Sequence, residues 1–155
     1  MAGIIMEFMS KDHDRLDGIF KKFQEIKKGD GRRALKQFAE FKIGLQRHIV
    51  WEEEILFPLF EKQTGMKESG PTAVMRMEHR EIKGYLEKIH DAVAEGNLET
   101  DEFERGLISV LTGHNDKEET VLYPWIDSSL SEKEKKEVLE RMKKLPPEKY
   151  NKCCE

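Results

Sequence analysis

Residues 48–58 read HIVWEEEILFP and residues 114–124 read HNDKEETVLYP, so one pattern, His-x-x-x-Glu-Glu-x-(Ile/Val)-Leu-(Phe/Tyr)-Pro, occurs twice. Each copy has a further histidine 35 residues upstream, His13 before His48 and His79 before His114. Gly18 and Gly84 each follow the upstream histidine by five residues, and the whole unit recurs at an offset of 66 residues. Four of the five histidines fall on this lattice. Residues four apart on a helix share a face, so His48 with Glu52, and His114 with Glu118, can reach one inward point. Four imidazoles and two carboxylates are the donors of a metal site. Burying them without a metal would cost on the order of several kcal/mol for each unpaired group.

Six nitrogen and oxygen donors with no thiolate exceed the four that a single zinc takes. They suit two first-row ions sharing carboxylate bridges, with iron, manganese, or adventitious zinc or copper as candidates. Ferritin-like di-iron bundles use Glu-x-x-His and are richer in glutamate. The spacing His-x-x-x-Glu and the surplus of histidine point elsewhere.

The elements that must position these groups are helices. Ile5, Phe8, Met9, Leu16, Ile19, Phe20, Phe23 and Ile26 recur at three- and four-residue intervals, the pattern of a one-sided helix. Gly29-Asp30-Gly31 interrupts it, with Asp30 as an N-cap. A second helix is expected from about Arg32 into the low sixties, kinked or terminated by Pro58. After the break at 65–71 (GMKESGP), a third is expected from about Thr72 to Ala94 and a fourth from about Asp101 to Tyr123, ended by Pro124. Ser131-Glu132-Lys133-Glu134 fits a capping box and opens a short fifth helix that ends before Pro146-Pro147. No segment alternates convincingly, so no sheet is expected. Four long helices with short links imply an all-α, antiparallel up-down-up-down bundle, about residues 3–127, with a short C-terminal helix and tail over 131–155. The 155 residues make one domain with a proper core.

Composition narrows the function classes. Lys and Arg are scattered among acids and the net charge is −4, so nucleic acid is not an expected partner. No stretch approaches the roughly 20 apolar residues that span a bilayer. The apolar start MAGIIMEFM has no basic leader and is interrupted by Glu7, so no secretory signal is expected. The two cysteines, Cys153 and Cys154, are adjacent and give no disulfide framework; an inert tail is expected, a reactive or metal-handing pair being the alternative. A cytoplasmic location follows as the expectation.

The pattern His…His-x-x-x-Glu…His…His-x-x-x-Glu, its Glu-Glu-x-Leu-(Phe/Tyr)-Pro tails and the Glu78-His79-Arg80 opening of the second half resemble the hemerythrin-like (HHE cation-binding) domain family. The likeness covers about residues 10–127 and includes spacing, order and tails. It implies one hemerythrin-like domain over residues 1–155 with a non-haem, oxo- or hydroxo-bridged centre of two iron ions. By that resemblance His13 and His48 hold one iron, His79 and His114 the other, and Glu52 and Glu118 bridge them. Two departures stand out. Oxygen-carrying members have a fifth histidine four residues before the one matching His79, where this chain has Met75. They also place the last bridging acid where this chain has Glu119, whereas the internal repeat favours Glu118. With about six ligands per iron, the missing histidine leaves about two open positions and a more reactive, less reversible site.

Other residues carry weaker signals. Trp51 and Trp125 could wall the pocket but read more simply as packing aromatics. Phe57-Pro58 and Tyr123-Pro124 read as structural helix closures. Glu53 and Glu119 follow the inward acids by about 100°, as partners for ligand histidines or as a solvated face. His90, off the lattice beside Asp91, reads as a hydrogen-bonded core histidine. The expected function is binding of oxygen or a related small ligand at the di-iron centre. A redox enzyme acting on peroxide or nitric oxide is the alternative. Iron donation or iron–sulfur repair stands third, because the repair proteins with this ligand pattern bear an additional cysteine-containing domain.

Overall fold

The computed structural model describes residues 3–151, and among these no strand occurs. Helix α1 runs Ile4–Ile26 and α2 runs Gly31–Val50. A π-helical turn, Trp51–Leu56, continues α2 into α3, Phe57–Thr64. Helix α4 spans Pro71–Ala94 and α5 spans Asp101–Lys117. A second π-turn, Glu118–Leu122, leads into α6, Tyr123–Ser129. Helix α7, Glu132–Lys143, and a 3₁₀ turn, Pro147–Lys149, close the described chain. Cys153 and Cys154 lie outside the described residues.

Local chemistry fixes several of the ends. The Asp30 carboxylate accepts from the amides of Arg32 and Arg33, the N-cap expected of it. Ser131 and Glu134 form the capping box reciprocally. Gly65, at φ 75°, closes α3 in the left-handed conformation that a glycine adopts without strain. The N-terminus of α1 is capped across the fold: both carboxylate oxygens of Asp127, on α6, accept from the amides of Ile5 and Met6 at 2.9 Å.

One helix boundary differs from the sequence expectation, the end set at Pro124; the helix through Pro58, where a kink or an end was expected, runs into the low sixties. Pro58 and Pro124 do not end their helices; each sits in the first turn of a new α-helix that runs on to Thr64 or Ser129. Proline lacks an N–H, a loss that costs nothing in a first turn, where amides have no intrahelical partner. The preceding π-turn makes this possible by widening the hydrogen-bond register: the Phe57 amide bonds the Glu52 carbonyl, and the Tyr123 amide bonds the Glu118 carbonyl, each five residues back. Such turns collect at functional sites, and each of these two begins at or beside an inward glutamate.

Helix α1 packs along α2, α4 along α5, α2 against α4, and α1 also against α6. Between α1 and α2 the ring contacts run Phe20–Phe41 at 4.8 Å and Phe23–Phe38 at 5.0 Å. Helix α7 covers the first π-turn, where the Trp51 indole donates to the Met142 carbonyl at 2.9 Å. Trp51 is thereby a packing residue, and Trp125, packed edge-on to Phe60, lies at the surface.

The apolar core is in two parts. One holds Met9, Ile55, Phe57, Phe60, Met75, Leu122 and Ile126; the other holds Leu16, Phe20, Phe38, Phe41, Leu45, Ile82 and Leu86. In the chain His13 falls between Met9 and Leu16, and His79 between Met75 and Ile82, so the histidine level separates the two parts.

Candidate metal centre

All six residues expected from the repeat are buried in this one layer. His13, His48, His79 and His114 are 0–4% exposed, and Glu52 and Glu118 are fully buried. α1, α2, α4 and α5 supply one histidine each, while the glutamates come from the π-turns that extend α2 and α5. Each glutamate serves both halves of the repeat. Glu52 Oε1 lies 3.8 Å from Nε2 of His48 and 3.0 Å from Nε2 of His79. Glu118 Oε1 lies 3.3 Å from Nε2 of His114 and 3.2 Å from Nε2 of His13. Glu119 does not point into this cluster; its side chain is one-third exposed.

Every histidine turns Nε2 inward because its Nδ1 is held by a carboxylate. His48 Nδ1 donates to Asp12 at 2.8 Å and His114 Nδ1 to Glu78 at 3.0 Å. His79 Nδ1 donates to Glu53 at 2.6 Å and His13 Nδ1 to Glu119 at 3.0 Å. Asp12 and Glu78 orient a histidine of their own half, whereas Glu53 and Glu119 orient one of the other half. Such carboxylate–histidine pairs fix ring orientation and raise ligand basicity. Glu53 and Glu119 thus take the partner role weighed for them. Asp12 and Glu78 were missed, although both precede the upstream histidine of their copy at the 66-residue offset.

Tyr123 is the third residue that sequence reasoning left out of the site. Its hydroxyl lies 2.7 Å from Glu52 Oε2 and 2.9 Å from Glu118 Oε1, donating its one proton to this pair of carboxylates, and 3.1 Å from His48 Nε2. The equivalent residue of the first half, Phe57, stacks on His79 at 5.9 Å with planes 5° apart. His90 sits off the layer, partly buried on α4, with Nδ1 3.7 Å from the exposed Asp91.

The electrostatics of the metal-free layer are those of a proton-filled site. Burial pulls His13 down, but Glu118, Glu119 and Glu52 outweigh it and push the imidazole up to about 9. Burial is likewise overcome at His79 by Glu52 and Glu53, again to about 9. His114 rises as Glu118 and Glu52 outweigh desolvation. At His48 desolvation prevails over Glu52 and Asp12, and the ring moves down. Burial and the facing charge of Glu118 raise Glu52. Glu118, although burial opposes ionisation, is held far below the usual carboxylate range by hydrogen bonds from Glu52, His114 and His13. Burial, then the charges of both glutamates, lift Tyr123 well above the ordinary phenol range, so it stays a donor.

Two groups of buried donor atoms in the layer lie within 4.8 Å of one another, Glu52, His79, His114 and Glu118, and His13, His48 and Glu118; a third, more exposed group, Glu87, His90 and Asp91, lies off it. Glu118 belongs to both, and its Oε2 is buried with no hydrogen-bond partner. An orphaned buried carboxylate oxygen costs free energy unless something fills it. A cation beside it, among inward imidazole nitrogens, would do so. The donor set of nitrogen and oxygen without sulfur fits first-row ions such as iron. A cleft of roughly 580 Å³ runs between α1 and α5 to His13 and Glu119, past Asp17, Lys21 and Thr112.

The model of the hemerythrin HHE cation-binding domain matches residues 4–126. An iron–sulfur cluster repair protein of Edwardsiella ictaluri, YtfE, is 32% identical over 94 residues, 57% of this chain and 42% of that protein. The chain thus spans less than half the length of that relative. An uncharacterized hemerythrin-like protein of Schizosaccharomyces pombe is 31% identical over 147 residues, 92% of this chain and 70% of its own. No solved structure gives a significant match.

Proposed function

The chain belongs to the hemerythrin HHE cation-binding domain family, and from that membership and its donor set we propose a non-haem di-iron protein that binds oxygen or a related small ligand. His13 and His48 would hold one iron, His79 and His114 the other, and Glu52 and Glu118 would bridge. The observation that carries this reading is the sharing of each buried glutamate between histidines of both halves, with the spare oxygen of Glu118 left unpaired. The antiparallel ring contacts of α1 on α2 support a four-helix bundle, up-down-up-down, as the frame, within a single domain.

When bound, the iron pair would supply the electrons and open coordination positions for a small ligand. The protein does the rest. Asp12, Glu78, Glu53 and Glu119 fix the tautomers and aim the four Nε2 atoms. The apolar clusters on either side of the layer limit water and lower the local dielectric. Met75, buried one turn before His79, adds no donor suited to ferric iron.

The test is elemental analysis of protein loaded with iron, followed by optical spectra through anaerobic reduction, exposure to oxygen and return to argon. Two irons per chain and an oxygen-dependent optical change are expected. One ion or none per chain would refute the di-iron reading. The similarity to the repair protein YtfE favours, as a second reading, iron donation to iron–sulfur proteins. Transfer of labelled iron from the loaded protein to an apo cluster protein would speak for it.

A further inference from the structure

The two halves of the centre correspond residue for residue except at two places. Asp12 corresponds to Glu78, where both keep a carboxylate, and one further pair changes the chemistry. Positions 57 and 123, at the 66-residue offset, hold phenylalanine in the first half and tyrosine in the second. Each lies five residues beyond an inward glutamate, at the close of a π-turn. On a regular α-helix that residue would stand about 140° round from the glutamate. The wider turn brings it back over the same face, so both rings look into the layer. The Phe57 ring covers His79 and has nothing to add to it. The Tyr123 hydroxyl instead reaches 2.7 Å from Glu52, 2.9 Å from Glu118, 3.1 Å from His48 Nε2 and 3.4 Å from His13 Nε2.

Four donor groups that converge on one oxygen also define where an ion held by them would sit. Those groups are the proposed ligands of one iron, the pair of histidines from the first half and the two shared carboxylates. No hydroxyl stands in the equivalent place beside His79 and His114. Resting on the di-iron reading, we propose that Tyr123 is a ligand of the iron held by His13 and His48, through its phenolate oxygen. Binding iron(III) there breaks the phenol O–H bond and forms an O–Fe bond; the proton leaves to solvent and no electron is transferred. A phenolate is a hard anionic donor, suited to the ferric ion. The two iron positions then differ: the one beside Tyr123 is closed by a protein ligand, and the one beside Phe57 and Met75 keeps the open position. An external small ligand binds at the His79–His114 iron.

The test uses Tyr123→Phe, which installs the residue that the other half of the protein already carries at this place, with Tyr85→Phe as control. Iron per chain, the visible spectrum and the resonance Raman spectrum of the iron(III) proteins are measured together, the wild type also with ring-deuterated tyrosine. Wild type is expected to hold two irons and show a visible phenolate-to-iron(III) charge-transfer band, with enhanced tyrosine modes that shift on deuteration. Tyr123→Phe is expected to lose band and modes while keeping two irons, and Tyr85→Phe to keep everything. Wild type with two irons but no deuteration-sensitive modes, or Tyr123→Phe with the band intact, overturns the proposal and leaves Tyr123 a hydrogen-bond donor to the carboxylates. Should Tyr123→Phe take up no iron, the deuterium shift in wild type decides alone. Wild type that never holds two irons overturns the di-iron reading, and this assignment with it.

Discussion

Glu119 accepts a hydrogen bond from Nδ1 of His13 at 3.0 Å, so a carboxylate of the second half of the chain aims a histidine of the first. Its neighbour Glu118 meets the same ring from the other side, 3.2 Å from Nε2. Two consecutive glutamates therefore do different work, one inside the layer and one steering it.

This division predicts two grades of effect. Glu52→Ala and Glu118→Ala should each empty the site. Glu53→Gln and Glu119→Gln keep the side-chain volume but lose the anionic acceptor, and should lower iron affinity by about 10–100-fold. Competition with a chelator, followed by metal analysis, separates the two grades. Full occupancy in Glu118→Ala beside an empty site in Glu119→Gln would reverse the roles.

Metal-free protein should weaken as pH rises from about 6.5, the ordinary histidine value, to about 9. His13 and His79 are raised to about 9 in the folded state. Their stabilising contribution is thus complete below the unfolded value and is lost as pH passes through the folded one. His48, shifted the other way, acts only below that window. Iron affinity should rise over the same range, because ligation needs neutral imidazoles. Urea midpoints of metal-free protein at a series of pH values provide the check; a rising midpoint contradicts it.

Met75→His should fill the open position on the His79 side. Met75 is buried one helical turn before His79, on the same face of α4. Azide titration of the iron(III) protein should show weaker binding in the variant than in wild type. Equal affinity would mean that the new imidazole does not reach the iron.

Asp127→Ala should cost about 1–2 kcal/mol, the range for losing an N-cap, with iron content unchanged. Asp127 caps α1 at Ile5 and Met6 without touching the layer. Denaturant unfolding and elemental analysis on the same preparation test both halves of that statement.

What the sequence disclosed, and what it hid, follows from range. The C-terminal end of α1, the Asp30 cap and the Ser131–Glu134 box are local chemistry and were readable. The inward level of His13, His48, His79 and His114 was readable because the chain repeats itself. The π-turns were not: a shift from four- to five-residue hydrogen bonding leaves the residue types and most of the apolar spacing unchanged, so Pro124 read as a stop and Pro58 as a kink or a stop. Tyr123 was hidden for the same reason, since its reach to Glu118 exists only once the wider turn is in place. The Asp12–His48 and Glu53–His79 contacts pair different helices, and only packing reveals them.

The crossed pairs, Glu53 with His79 and Glu119 with His13, bear on ancestry. One 66-residue copy contains a histidine with no carboxylate of its own to aim it, and a carboxylate aimed at a histidine it does not possess. Such a copy alone is chemically incomplete; a forerunner with a single copy could have assembled this centre only as a two-fold symmetric pair. In this chain the two copies are joined through the segment that holds Gly65 and Gly70, both at positive φ. Within one chain the two members need not be identical, and phenylalanine at position 57 against tyrosine at position 123 is one place where they differ.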